Sequence, residues 1–181
     1  NLSIITYIYK GEEDSYSLPF IDEASVTNSI IAAVVSRKLG LTAEEVDKRM
    51  SLLEPVAMRL EVKEGQHGCT LINDSYNSDI NSLDIALDFM SRRPDHKGRR
   101  HTLILSDIFQ SGENPKDLYK EVSDLCRKRG VVKFIGVGPQ LYEQSDEIQI
   151  SEKFFFRNIE DFIKREVFAS LRDEVILLKG A

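Results

Sequence analysis

Residues 69–107, CTLINDSYNSDINSLDIALDFMSRRPDHKGRRHTLILSD, decide the fold. An apolar run ends in an acidic, amide-rich knot at Asn73 to Asp79, a helical pattern follows over 80–92, and a second apolar run closes on Asp107. The apolar repeat thus changes from strand to helix and back, the signature of a strand, crossover helix, strand unit. The pattern continues downstream with a helix over 115–129, a strand at VVKFIGV, a short helix near 139–145, a strand at KFFF, a helix over 158–169 and a strand at EVILL. Upstream, a strand at RLEV turns through Gly65 and Gly68 into CTLIND. Such alternation predicts an α/β fold from residue 58 to 181, an open, Rossmann-like, mostly parallel sheet with helices on both faces.

Residues 1–57 have a different texture and are expected to form a separate unit. SIITYIYKGEEDSYSLPF alternates on both sides of a glycine and acidic turn, as a hairpin does. In SVTNSIIAAVVSRKLG the residues Ile30, Ile31, Val34 and Val35 repeat at helical spacing, with Gly40 as a C-terminal stop. A second helix begins at Thr42 with Glu45 three residues on, a capping-box pattern, and Pro55 is expected to end it. The chain starts inside an alternating pattern and stops where a last strand would pass into a loop, so a longer protein is expected around it.

With 181 residues, 41% of them hydrophobic, the chain can bury a core. A formal charge of −6 and a single basic stretch, SRRPDHKGRR, argue against nucleic acid as a partner. The two cysteines, Cys69 and Cys126, lack metal-site spacing and read as buried, reduced thiols; no metal site is expected within the chain. No apolar run reaches the roughly 18 residues of a membrane span, and no basic leader opens the sequence, so a cytoplasmic protein is expected.

In an open α/β sheet, ligands bind beyond the carboxyl ends of the strands. Asp74 would then accept from ribose hydroxyls or stand near a metal-phosphate, with Ser75, Tyr76 and Asn77 offering directional polar groups; alternatively it is an exposed turn former beside a helix cap at Ser78 or Asp79. Asp107 is either a working carboxylate or an acceptor for loop amides. Gly136 and Gly138 in FIGVGPQ lack the third glycine of a dinucleotide fingerprint and read as a tight strand-to-helix turn. No G-x-x-x-x-G-K-[ST] loop occurs, so the chain has no phosphate cradle of that kind. Asp74, Asp107 and Lys179 also fit, loosely, a receiver-like signalling domain with Asp107 as phosphoacceptor.

Taken together, MRLEV, CTLINDSYNSDINSLDIAL, LILSDIFQSGE and VILLKGA resemble, in order and spacing, the C-terminal part of the Mur ligases. The resemblance implies an ATP-dependent, Mg²⁺-assisted amide ligase adding D-alanyl-D-alanine to UDP-N-acetylmuramoyl-tripeptide in peptidoglycan precursor synthesis through an acyl phosphate. It further implies that residues 1–57 are the C-terminal remnant of the central ATP-binding domain and 58–181 the C-terminal domain. By the same resemblance Asn28, Arg59 and Asp74 face the nucleotide, and Tyr76, Asn77, Asp107 and Lys179 face the incoming dipeptide. Ala24-Ser25, Asp79-Ile80 and Leu105-Ser106-Asp107 depart from the family's His-Asn, Asn-Pro and Leu-Gly-Asp. The SDIFQSG form and the LLKGA ending resemble the ligase half of bifunctional proteins, which would put a fused alanine racemase domain after Ala181.

Overall fold

The computed structural model describes residues 2–54, 58–93, 98–109, 112, 114–165, 167 and 170–180. It divides into two compact units, Asn1–Pro55 and Val56–Ala181.

In the first unit, β1 (Ser3–Tyr9) and β2 (Glu12–Leu18) form an antiparallel hairpin with Tyr9 opposite Glu12. The two-residue turn, Lys10 and Gly11, has φ of 53° and 88°, the left-handed pair whose twist suits a tight hairpin. Helix α1 (Glu23–Lys38) is capped by Asp22, and α2 (Ala43–Met50) by the Thr42 and Glu45 capping box expected from sequence. Helix α2 stops at Met50; Pro55 lies outside the described residues. Tyr16, Leu18, Ala33, Val46 and Met50 make the core. Helix α1 enters that core through Ser29 and Ala33, its buried residues, and the Tyr16 hydroxyl meets Ser29 Oγ at 2.9 Å. Its aliphatic stripe turns the other way: Ile30, Ile31, Val34 and Val35 are all exposed.

The second unit is a six-stranded sheet in the order β3-β4-β8-β5-β6-β7. Strand β3 (Glu61–Glu64) pairs antiparallel with β4 (Thr70–Asp74) through the Gly65 to Gly68 turn. The remaining pairs, with β5 (Arg100–Ser106), β6 (Val131–Val137), β7 (Glu152–Phe156) and β8 (Glu174–Lys179), are parallel. The last strand therefore returns between the first two parallel ones. Helices α3 (Ile80–Arg92), α4 (Pro115–Lys128) and α5 (Pro139–Glu143) bury Leu83, Leu87, Met90, Leu118, Val122 and Leu141 on one face of the sheet. On the other face Phe162 of α6 (Ile159–Lys164) packs with Ile135, Phe156 and Ile176. The mostly parallel sheet covered on both faces is the fold expected from residues 69–107. Helix α6 ends at Lys164, short of the expected 169, where residues 166, 168 and 169 lie outside the described set.

Beneath the sheet, Lys133 and Glu174 are each 2% exposed and paired at 2.7 Å, while Thr102 donates to the second Glu174 oxygen at 2.5 Å. Three neighbouring strands are thus tied at their amino ends by groups that need one another, since either charge buried alone would be costly.

Candidate active site

The carboxyl ends of β4, β8 and β5 line up in register, with Asp74 opposite Lys179 and Leu105 opposite Lys179. Lys179 donates from Nζ to Asp74 Oδ2 at 2.7 Å and to the Asn77 carbonyl at 2.6 Å, with its side chain 2% exposed. The other Asp74 oxygen accepts from the Leu60 amide at 3.1 Å. Asp74 is therefore no exposed turn former: its side chain is 14% exposed and joins three segments, β8, the loop before β3 and the end of β4. The helix cap is Asp79, which forms a box with Ser82 at the start of α3, as the alternative reading of this knot had it.

The loop before β3 is bent twice. Met58 and Leu60 have φ of 59° and 47°, a left-handed conformation that costs a non-glycine residue about 1–3 kcal/mol and persists only where the surroundings enforce it. Two bonds enforce it here: Leu60 N to Asp74, and Tyr76 N to the Met58 carbonyl at 3.3 Å. Between the two bends, Arg59 is thrown out to solvent with its guanidinium carbon 4.2 Å from the centre of the Tyr76 ring. Tyr76 and Asn77 are exposed; Asn77 Oδ1 accepts from Ser78 N at 2.9 Å. The Ser78 hydroxyl beside them is buried and, among the described residues, has no hydrogen-bond partner.

Asp107, just after β5, faces inward at 2% exposure. Its oxygens accept from Gln140 N at 3.0 Å and Leu141 N at 2.8 Å, and the Tyr119 hydroxyl lies 3.5 Å away. Burial pushes the Tyr119 phenol up to about 12, so at neutral pH it stays protonated and able to donate. Helix α5 has Gly138 at its N-cap and no side-chain cap of its own, and Asp107 supplies the cap from another strand. Gly138 has φ of 147°, and a Cβ there would stand 2.5 Å from Asp107 Oδ1, so only glycine fits beside that carboxylate. The FIGVGPQ segment is the strand-to-helix turn expected, serving this cap.

Of the residues singled out from sequence, Arg59, Asp74, Tyr76, Asn77 and Lys179 form one connected group. Asp107 sits at the end of β5 but points into the unit. Asn28 is exposed on α1 of the first unit. The contribution of Leu60, through a backbone amide in a left-handed bend, left no mark in the sequence. Among the described residues, no three His, Cys, Asp or Glu side chains gather to hold a metal ion.

No family model matches the chain. It is 27% identical over 115 residues, 64% of its length, to the UDP-N-acetylmuramoyl-tripeptide--D-alanyl-D-alanine ligase of Bacillus subtilis, and covers 25% of that relative. With the enzyme of the same name from Escherichia coli the identity is 22% over 164 residues, covering 91% of this chain and 35% of the relative. The chain thus spans about a quarter to a third of the length of these curated relatives. The crystal structure of MurF ligase from Thermotoga maritima in complex with ADP superposes with a TM-score of 0.70 at 16% identity, over 99% of this chain and 43% of that one.

Proposed function

Because the chain is similar to the Mur ligases in sequence and shares their fold, we propose that it is part of an ATP-dependent, ADP-forming ligase adding D-alanyl-D-alanine to UDP-N-acetylmuramoyl-tripeptide. The observation that carries this reading is the connected group at the sheet's carboxyl edge, where Arg59, Asp74, Tyr76, Asn77 and Lys179 are joined by contacts that ran unseen between distant motifs. In this reading residues 1–57 are the C-terminal remnant of a central ATP-binding domain and 58–181 the closing domain. The exposed stripe Ile30, Ile31, Val34 and Val35 is then surface that the rest of such a domain would cover.

A carboxylate is a poor electrophile until ATP converts it to an acyl phosphate, which the dipeptide amine then attacks. This chain's share is to close over the nucleotide and bring the amine. Arg59, an exposed cation on a braced loop, meets the nucleotide's negative charge. Asp74 sets the nucleotide edge by fixing that loop, and Asn28, exposed on α1, is a nucleotide contact in the same proposal. Tyr76 and Asn77 offer the exposed surface for the dipeptide. Lys179 and Asp107 act through what they hold, the Asn77 carbonyl and the start of α5. Mg²⁺ would neutralise phosphoryl oxygens during transfer, and its ligands belong to the central domain's missing part. Cytoplasmic location and a fused alanine racemase domain are part of the same proposal; among the described residues no helix is long and apolar enough to cross a membrane.

ADP release with ATP, Mg²⁺, UDP-N-acetylmuramoyl-tripeptide and D-alanyl-D-alanine tests it. Activity requiring both organic substrates is expected from the longer protein that carries this chain, and none from residues 1–181 alone. Turnover by residues 1–181, or none by the longer protein, overturns the reading. The receiver-like alternative is not favoured, because Asp107 is buried with its oxygens occupied by amides rather than open to a phosphodonor.

A further inference from the structure

We propose that Tyr76 is a positioning residue for Arg59, its ring and its backbone amide together holding the guanidinium at the nucleotide edge. This rests on the ligase reading above and deepens it, since that reading placed Tyr76 against the dipeptide only.

An exposed arginine on a surface loop ordinarily samples many rotamers, and ordering it on a ligand has an entropic cost. Arg59 is restrained from two directions. From below, its backbone is bracketed by Met58 and Leu60, both left-handed, whose free groups are tied to the 74–76 segment: Leu60 N to Asp74 Oδ1 at 3.1 Å, and the Met58 carbonyl to Tyr76 N at 3.3 Å. From the side, the guanidinium carbon sits 4.2 Å from the Tyr76 ring centre, well inside the range at which a cation is drawn to an aromatic face. Tyr76 contributes to both restraints, one through its amide and one through its ring. Tyr76 is 59% exposed, so the residue is there as a platform and not as core.

The arrangement also explains the use of arginine. A planar guanidinium lies flat on a ring with one face and keeps its in-plane N–H groups directed outward, where they bind phosphate oxygens in pairs. Lysine would gain less from the ring and lose the paired geometry. Lys179 extends the brace: it fixes Asp74 and the Asn77 carbonyl, the residues on either side of Tyr76 and Ser75. The sheet's charge pair therefore reaches the nucleotide edge through the tyrosine.

Two measurements separate this proposal from the reading it rests on. In residues 1–181, proton NMR should show the Arg59 side-chain protons displaced upfield by the Tyr76 ring current, retained in Tyr76→Phe and abolished in Tyr76→Leu. In the longer protein, Tyr76→Leu should raise KM for ATP about three- to tenfold, the scale of a cation-π contact. Tyr76→Phe should recover most of that loss in KM for ATP. With Arg59 already replaced by Ala, Tyr76→Leu should add nothing further to KM for ATP. Absence of the ring-current displacement, or a rise confined to KM for the dipeptide, overturns the proposal. A normal displacement in a longer protein that does not consume ATP instead overturns the ligase reading, and with it the nucleotide role of the pair.

Discussion

Asp74 and Lys179 are unequal partners, and the inequality has a measurable consequence. Lys179 is nearly fully buried, whereas Asp74 keeps some contact with water. Asp74→Asn leaves a buried cation facing a neutral amide and should cost about 3 kcal/mol of stability, the scale for removing one member of a buried pair. Lys179→Met leaves a carboxylate that water reaches and should cost less, about 1–2 kcal/mol, with loss of the bond to the Asn77 carbonyl included. The double substitution should cost less than the two singles added, and urea unfolding of the four proteins measures the coupling. At Gly138, replacement by Ala should cost at least about 2 kcal/mol, because the backbone conformation and the Asp107 carboxylate both reject a side chain. Asp107→Asn should lose about 1–2 kcal/mol, as the removal of a helix cap does, and intact mass after acetyl phosphate treatment should show no phosphate on the parent protein.

At the scale of elements, α1 shows how hydropathy and burial part company. The helical repeat of Ile30, Ile31, Val34 and Val35 would mark the core face of an isolated helix, yet the unit's core takes Ser29 and Ala33. Only a small side chain lets α1 approach the hairpin, and Ala33 is 1% exposed there. Ala33→Leu should therefore overpack the interface and lose about 1–3 kcal/mol. Ile31→Ser, at a side chain 59% exposed, should stay within about 0.5 kcal/mol of the parent in thermal melts and should lower dye binding to exposed apolar surface. A larger loss for Ile31→Ser than for Ala33→Leu would mean that the stripe is packed in solution.

For the whole molecule, thiol chemistry reports how cooperatively the second unit holds together. Cys126 is 0% exposed inside the sheet's larger core, and burial pushes its thiol up to about 12. A group so placed is alkylated only when the unit opens, so its labelling at neutral pH should follow the urea dependence of global unfolding rather than that of local fraying. Rapid labelling of Cys126 without denaturant would show that α4 leaves the sheet on its own.

Much of this protein could be read from its residues one after another. The alternation of apolar strands and helical repeats, the glycine turns and the Thr42 and Glu45 cap are local signals, because periodicity and capping act within a few residues of chain. They gave the helix over 80–92 and the strand at 131–137 to the residue, and they pointed to the strand ends as the working edge. Tertiary structure decided the partners. Whether Asp74 would be free or paired depended on a lysine 105 positions away, brought opposite it when β8 inserts beside β4. Asp107 could have been an open carboxylate, but β6 delivers the amides of α5 to it and turns it into a cap. Which face of α1 became core was settled by the space above the hairpin, and the left-handed bends around Arg59 by bonds to a strand not yet formed in the linear order. Charge pairing and close packing are properties of neighbours in space, and strand order, which a single sequence leaves open, determines who those neighbours are.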